Sequence, residues 1–418
     1  MPLGHRLFDR LDAPWQAAAQ QWTRFRGPNG SGISPARNVP IRWSKDDYNW
    51  RAALPGVGYA SPVLWGDKLF ITSGDEPTAT QHVLCLDAAT GRRRWSREFA
   101  AAHHSKHKLN SFASGTPAVD EWHVYIAWAN PKEFVVLALN HKGETIWRRD
   151  LGPFKASHGG GVSPIVHDDL VVVPNEQSGE SSLVALDRAS GAIRWQIARD
   201  SNVTYSTPCA YRRQGGSAEL IFTNWKNGVT AVDPTTGQVN WKADIFDKSH
   251  IEMAIGSPVV AGDLLLVTCG WLGHGNEVIA VRPKYEAGKV AVEQVYRISR
   301  SAPLCTTPLV KGDLLFLWSD DGVVTCADAA TGQVHWRRRA GVNYYDSPNC
   351  VGDRVYNVSA AGGVVVLAAD RRFRRRGGAP LRQGRRPRPD AVVVERHVAR
   401  RRAVRRPPPA GRVQARPR

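Results

Sequence analysis

Apolar residues along this chain fall in short continuous blocks, each followed by the same polar punctuation. VLCLDAATGRRRW (Val83–Trp95), VLALNHKGETIW (Val136–Trp147), LVALDRASGAIRW (Leu183–Trp195), VTAVDPTTGQVNW (Val229–Trp241) and VTCADAATGQVHW (Val324–Trp336) share one grammar. The apolar, β-branched run predicts a strand. Asp, or Asn140 in the second copy, then accepts backbone hydrogen bonds and starts a turn. Gly follows where the chain reverses with φ > 0. A second strand closes on Trp, a large ring with one N–H to satisfy. Recurrence at several tens of residues predicts a solenoid or a propeller.

Between these blocks lies a second pattern, Ser/Thr-Pro followed by an apolar strand, starting at Ser61, Thr116, Ser163, Thr207, Ser257, Thr307 and Ser347. Proline suits a strand start, where no ladder N–H is needed. Gly66, Gly262, Gly312 and Gly352, each followed by Asp, read as tight hairpin turns. Each unit is therefore four strands long, one propeller blade, and too long for a β-helix or leucine-rich solenoid. The fifth unit deviates, with a longer turn and Tyr296 where Trp is expected. Trp22–Ser34 reads as a loop or arm. Trp50 precedes any complete unit, so it is expected to supply a closing strand to the last blade. The fold class is all-β, an eight-bladed propeller with seven blades recognisable and the last missing or scrambled, because no eighth Ser/Thr-Pro start follows.

Composition changes this picture at the chain ends. The formal net charge is +18, but residues 371–418 hold 18 Arg, no Lys and two acids, which leaves the first 370 residues at +2. The domain division is thus 1–21, an N-terminal segment with Ala17–Ala19 resembling the end of a signal region; 22–370, the propeller; and 371–418, an Arg/Pro-rich tail. That tail reads either as disordered or as the product of a frameshift near Asp370. Nucleic-acid binding is expected only through it. Cys85, Cys209, Cys269, Cys305, Cys326 and Cys350 form no CxxC or adjacent pair and read as buried thiols. No apolar stretch is long enough to span a membrane.

Candidate chemistry lies between the repeats. HHSKH places His103 and His107 four apart, on one face if that loop is helical. With His158 in SHGGG and His274 in GHGNE they could form a metal site at one funnel. Asn175–Glu180 and Glu277 offer carboxylates for Ca²⁺ or a general base. Gly159–Gly161 reads as a tight lead-in to Ser163–Pro164, and Cys209 as core. No nucleophile elbow or zincin helix is present, and no catalytic residue is assigned.

The repeat resembles the pyrroloquinoline-quinone (PQQ) repeat in its apolar-Asp-x-x-[Ser/Thr]-Gly-x-x-x-Trp core. Matching residues are Asp87, Gly91 and Trp95; Asp187, Gly191 and Trp195; Asp233, Gly237 and Trp241; Asp328, Gly332 and Trp336; Trp147 closes the Asn140 copy. WTRFRGPNGSG, HHSKHKLNSFASGTPAV and STPCAY are similar to PQQ-like propellers of the planctomycete type, some of them BamB-like. The resemblance implies two directions. Quinoprotein dehydrogenases hold PQQ and Ca²⁺ in the funnel, and the alcohol-oxidising types carry an adjacent Cys-Cys disulfide that this chain lacks. BamB-like members bind no cofactor and act as scaffolds in the cell envelope. The expectation is a non-catalytic, monomeric binding propeller of the BamB-like kind, periplasmic or envelope-located, meeting protein partners through its face loops. The alternatives are a PQQ- or metal-dependent oxidoreductase and a nucleic-acid binder acting through the tail. The repeat residues themselves are assigned to architecture.

Overall fold

A computed structural model describes residues 21–379, apart from 37–38, 45–46, 214, 250–251, 272–274 and 287, together with the strand Val392–Glu395. The described chain is almost wholly β, with one short 3-10 turn at Pro28–Gly30. Seven antiparallel four-strand meanders follow one another, spanning 63–99, 118–150, 165–199, 209–243, 259–298, 309–339 and 349–379; they are numbered one to seven here. The first and seventh gain a fifth strand from the N-terminal arm. Third strands such as Ser181–Asp187 are buried on both faces, because each sheet is sandwiched between two others. That is why the sequence shows continuous apolar runs rather than alternation.

Each Asp turn is built as its residues dictate. Asp87 Oδ1 accepts from the Ala89 N–H at 3.0 Å, the Thr90 N–H at 2.8 Å and the Thr90 hydroxyl at 2.9 Å. Asp187, Asp233 and Asp328 repeat this arrangement. Asn140 takes the same role through the Lys142 and Glu144 N–H groups. The register of the third and fourth strands slips just before the turn, as at Cys85/Leu86 and Cys326/Ala327, and deeper in the long fifth hairpin at Ala280/Val281, giving a bulge beside the fourth-strand aromatic. The aromatic then docks on the turn of the next sheet. Trp95 Nε1 donates to His141 O at 2.9 Å, Trp147 Nε1 to Arg188 O at 3.0 Å, and Trp195 Nε1 to Pro234 O at 2.8 Å. Tyr296 keeps the role with its hydroxyl, donating to Ala329 O at 2.8 Å, and its ring lies against Gly332. Trp241 differs: the long fifth-sheet hairpin brings Tyr285 to it, and Trp241 Nε1 donates to Glu219 Oε2 at 3.0 Å.

Five of the seven Ser/Thr residues before the prolines have a role that the sequence pattern did not disclose. The hydroxyls of Thr116, Ser163, Ser257, Thr307 and Ser347 accept the backbone N–H of Ser61, Thr116, Thr207, Ser257 and Thr307 respectively, at 2.9–3.1 Å. Sheet is thereby tied to next sheet around the hub by side-chain oxygens.

Between the seventh and first sheets the chain has a different filling. Val39 O accepts from Arg354 Nη1 at 3.0 Å and from the Tyr356 hydroxyl at 3.3 Å, against the seventh sheet. Trp50 and Leu54 pack with Leu69, Ile71, Leu84 and Leu86 on the first sheet. Trp50 Nε1 donates to Ala88 O at 3.2 Å, the same carbonyl docking that Trp95, Trp147, Trp195 and Trp336 make on the next turn. The strand that follows Trp50, Arg51–Leu54, pairs among the described strands with Val392–Glu395 alone, in a two-stranded sheet. The seventh sheet runs on to Ala379, past the expected division at Asp370, because a backbone ladder to Val364–Ala368 does not require apolar side chains. The rest of the Arg-rich tail lies outside the described residues, as does the N-terminal segment before Gln21.

Candidate functional site

Strand direction sorts the loops. The Asp-x-x-x-Gly and Gly-Asp turns lie at one end of the strands. The links between sheets and the middle hairpin turns lie at the other, and His103, His107 and His158 sit there.

Residues 101–110 form an irregular loop rather than a helix, so His103 and His107 do not share a helical face. His103 and His104 both pack on Phe112, with ring centroids at 5.4 and 5.1 Å. His107 instead meets His158, centroids 5.0 Å apart, and His158 lies edge-on to Trp271 at 6.3 Å. The pairing is held by backbone. The His107 N–H donates to His158 O at 3.4 Å, and Asn110 Nδ2 donates to His158 O at 2.6 Å and to Gly160 O at 3.0 Å. Burial lowers the His158 imidazole pKa below its ordinary value, and the neighbouring His107 lowers it further. His274 lies outside the described residues, just beyond Trp271. Two of the four histidines are thus brought together. Among the described residues no group of three or more His, Cys, Asp or Glu is placed to hold a metal ion.

The carboxylates are differently disposed. Glu176, in Asn175–Glu180, is wholly buried and paired with Arg199, Nη2 to Oε1 at 3.0 Å; Arg199 Nη1 also donates to Thr230 Oγ1 at 2.8 Å. Burial pushes the Glu176 carboxyl up to about 7 against the pull of Arg199. Glu277 pairs with Arg297 at 2.5 Å, yet burial raises its pKa, and Glu252 adds to the rise. Glu252 was not among the residues singled out from the sequence; it lies in an irregular link with no motif, and its nearness to Glu277 is purely spatial. Cys269 belongs to this cluster, its thiol pushed up by burial and by its hydrogen bond to Glu252. Cys209 is core, as expected, with burial raising its thiol to about 12.

The fold raises the question of a quinone cofactor. Trp271, His107 and His158 could flank a planar ring. Three cations on this face are committed, however: Lys106 to Glu76 at 2.7 Å, Arg199 to Glu176, and Arg297 to Glu277. A polycarboxylate quinone would have to compete with these carboxylates for the paired cations.

The profile of the family described as outer membrane protein assembly factor BamB matches residues 41–207, 79–294 and 226–376. The chain belongs to this PQQ-like, BamB-type propeller family. A BamB of Yersinia pestis is 23% identical over 296 residues, 69% of this chain and 59% of that protein. A polyvinylalcohol dehydrogenase of a Pseudomonas species is 27% identical over 131 residues, 31% of this chain and 19% of that enzyme. The chain thus spans less than two thirds of the length of either relative. Among solved structures, BamB from Moraxella catarrhalis superposes with a TM-score of 0.50 at 17% identity, over 75% of this chain and 85% of that one. A quinohemoprotein alcohol dehydrogenase from Pseudomonas putida HK5 gives 0.52 at 13% identity, over 95% and 83%. At such identities the likeness shows the fold alone. No helix among the described residues is long and apolar enough to cross a membrane.

Proposed function

We propose that this chain is a non-catalytic binding propeller of the BamB-like kind, working in the cell envelope and meeting a protein partner through its inter-sheet loops. The observation that carries this reading is the family match across 41–376, which reaches every sheet. Exposed apolar side chains on the same loops support it: Tyr59 is 63% exposed and Leu109 45%. Leu109 lies on the link that carries His103–His107, and the Tyr59 N–H donates to Ala113 O of that link at 3.0 Å. The commitment of the funnel-side cations to carboxylates supports it further, since a binding face needs no free catalytic group. Fold alone does not decide between binder and enzyme.

Photo-crosslinkers placed at Tyr59 and Leu109, with Ile193 at the opposite end of the strands as control, test the face. Adducts to one discrete envelope protein from the first two positions alone are expected. Equal labelling from Ile193 would sink the assignment of that face.

The second reading, a PQQ- or metal-dependent oxidoreductase, is favoured by the grouping of His107, His158 and Trp271 on the funnel side. Titration with PQQ and Ca²⁺, followed by absorbance and thermal shift, separates the two. Saturable one-to-one binding would replace the scaffold reading.

A further inference from the structure

The hub of the ring is occupied by the chain's own N-terminal arm. Gln21–Trp22 pairs antiparallel with the first strand of the first sheet, Trp22 opposite Leu64. Thr23 O accepts the Val119 N–H of the second sheet at 2.8 Å. Asn29 exchanges two hydrogen bonds with Ala210 of the fourth sheet, each 2.7 Å. Ile33–Ser34 then runs parallel to the first strand of the seventh sheet. A segment with no apolar pattern thus touches sheets all round the ring.

Two arginines inside the arm are buried, Arg24 at 7% exposure and Arg26 at 3%. Their guanidinium groups donate to carbonyl oxygens. Arg24 Nη2 donates to Pro208 O at 2.5 Å. Arg26 Nη1 donates to Pro348 O at 2.8 Å, Nη2 to Pro308 O at 3.0 Å, and Nε to Gly30 O at 3.1 Å. These three prolines are the strand-start prolines of the fourth, sixth and seventh sheets. First strands have a free inner edge, and their carbonyls need donors. A guanidinium, with five donors in a planar fork, can serve carbonyls of different sheets at once. Burying such a cation is costly, and burial lowers the Arg26 pKa to about 9, so it stays charged at neutral pH. A cost of that kind persists when surrounding structure requires it.

The placement is specific. The arm joins the first sheet to the seventh, the pair between which, among the described residues, lie 35–54 and a two-stranded sheet. We propose that Gln21–Ser34 is a hub latch that holds the seventh sheet to the first across the axis, with the Arg26 guanidinium as its lock.

Hydrogen exchange on the full chain carrying Arg26→Met tests this. Exchange in Gln21–Ser34, Val63–Trp65 and Asn349–Val351 should accelerate at least tenfold, while Leu170–Asn175 and Ser181–Asp187 of the third sheet keep their protection. Arg26→Lys should give the same local pattern, because one ammonium cannot span carbonyls of two sheets. Unchanged exchange, or acceleration spread evenly over all sheets, would overturn the latch. If Arg26→Met does not fold, Asn29→Ala loses only the Ala210 pair. Faster exchange confined to the arm and Cys209–Arg212 then supports the latch, and its absence overturns it.

Discussion

Arg199 is 8% exposed and faces Glu176, which is fully buried. Removing one partner of such a pair strands the other, which costs roughly 3–5 kcal/mol. Arg199→Met is therefore expected to lower stability by about that amount near pH 8. The sign of the pH dependence follows from Glu176. Its carboxyl pKa is raised by burial from 4.5 to about 7, so the folded state holds this proton more tightly than the unfolded chain does. The cost of the buried charge is full above about pH 7 and shrinks as pH falls toward 4.5. Without Arg199 the upward push strengthens, so acidification should return part of the lost stability. Urea unfolding of wild type and variant at pH 8 and pH 5.5 checks this: a deficit that does not narrow at pH 5.5 contradicts the assignment. His158 behaves oppositely. Its lowered pKa leaves it neutral at pH 7, and protonation below its ordinary range disfavours the packed His107–His158 arrangement.

At the level of the element, the turn and the aromatic that lands on it act together. Gly191 has φ +68, and a Cβ there would sit 2.6 Å from the Trp147 ring. Gly262 has φ +64 but would meet nothing within 4 Å. Gly262→Ala should thus show backbone strain alone, about 1–2 kcal/mol. Gly191→Ala should lose clearly more, because the wedge between the second and third sheets must shift as well. Thermal unfolding of both variants measures the difference, and equal losses would deny the ring contact its role. In the same way Thr307→Val strands the Ser257 N–H and should cost roughly 1–3 kcal/mol, an effect that Thr307→Ser should largely avoid. These elements were legible in the sequence because their parts lie within one repeat: Asp87, Gly91 and Trp95 are neighbours in the chain. The candidate site was legible only in pieces. His107 and His158 stood out as histidines, but their contact and the approach of Trp271 are set by the ring, which brings residues from separate sheets together. Arg24 and Arg26 looked like loop residues because nothing local reveals that the arm enters the hub.

For the whole molecule, the question is what stands between the seventh sheet and the first. Each of the four Asp units exports a Trp eight residues after its turn residue, as Trp336 follows Asp328. The seventh begins correctly: Trp336 Nε1 donates to Asp370 O at 3.1 Å, and Asp370 Oδ1 accepts the Arg372 N–H at 2.8 Å. Then Arg374 stands where the turn glycine belongs, and Gly378 where the aromatic belongs. On the far side Trp50 is seated on the first sheet with the docking of a complete unit, although the strand that follows it has, among the described strands, a single partner. We read an aromatic so placed as the outer edge of an eighth sheet, and the grammar stops within a few residues of Asp370. We therefore expect that replacing 371–418 with a turn–strand ending of the Asp328–Trp336 type, followed by three apolar strands beginning at a Ser/Thr-Pro, raises the melting temperature and gives a monodisperse protein. The gain is expected because the strand Arg51–Leu54, which among the described strands has a single partner, would join a full sheet. Trp50→Ala should remove much of that gain in the restored chain, since its ring would then anchor a full sheet, while in the present chain it should cost less. Equal melting temperatures and equal dispersity for the present and restored chains would mean that residues 35–54 and the arm already close the ring by themselves.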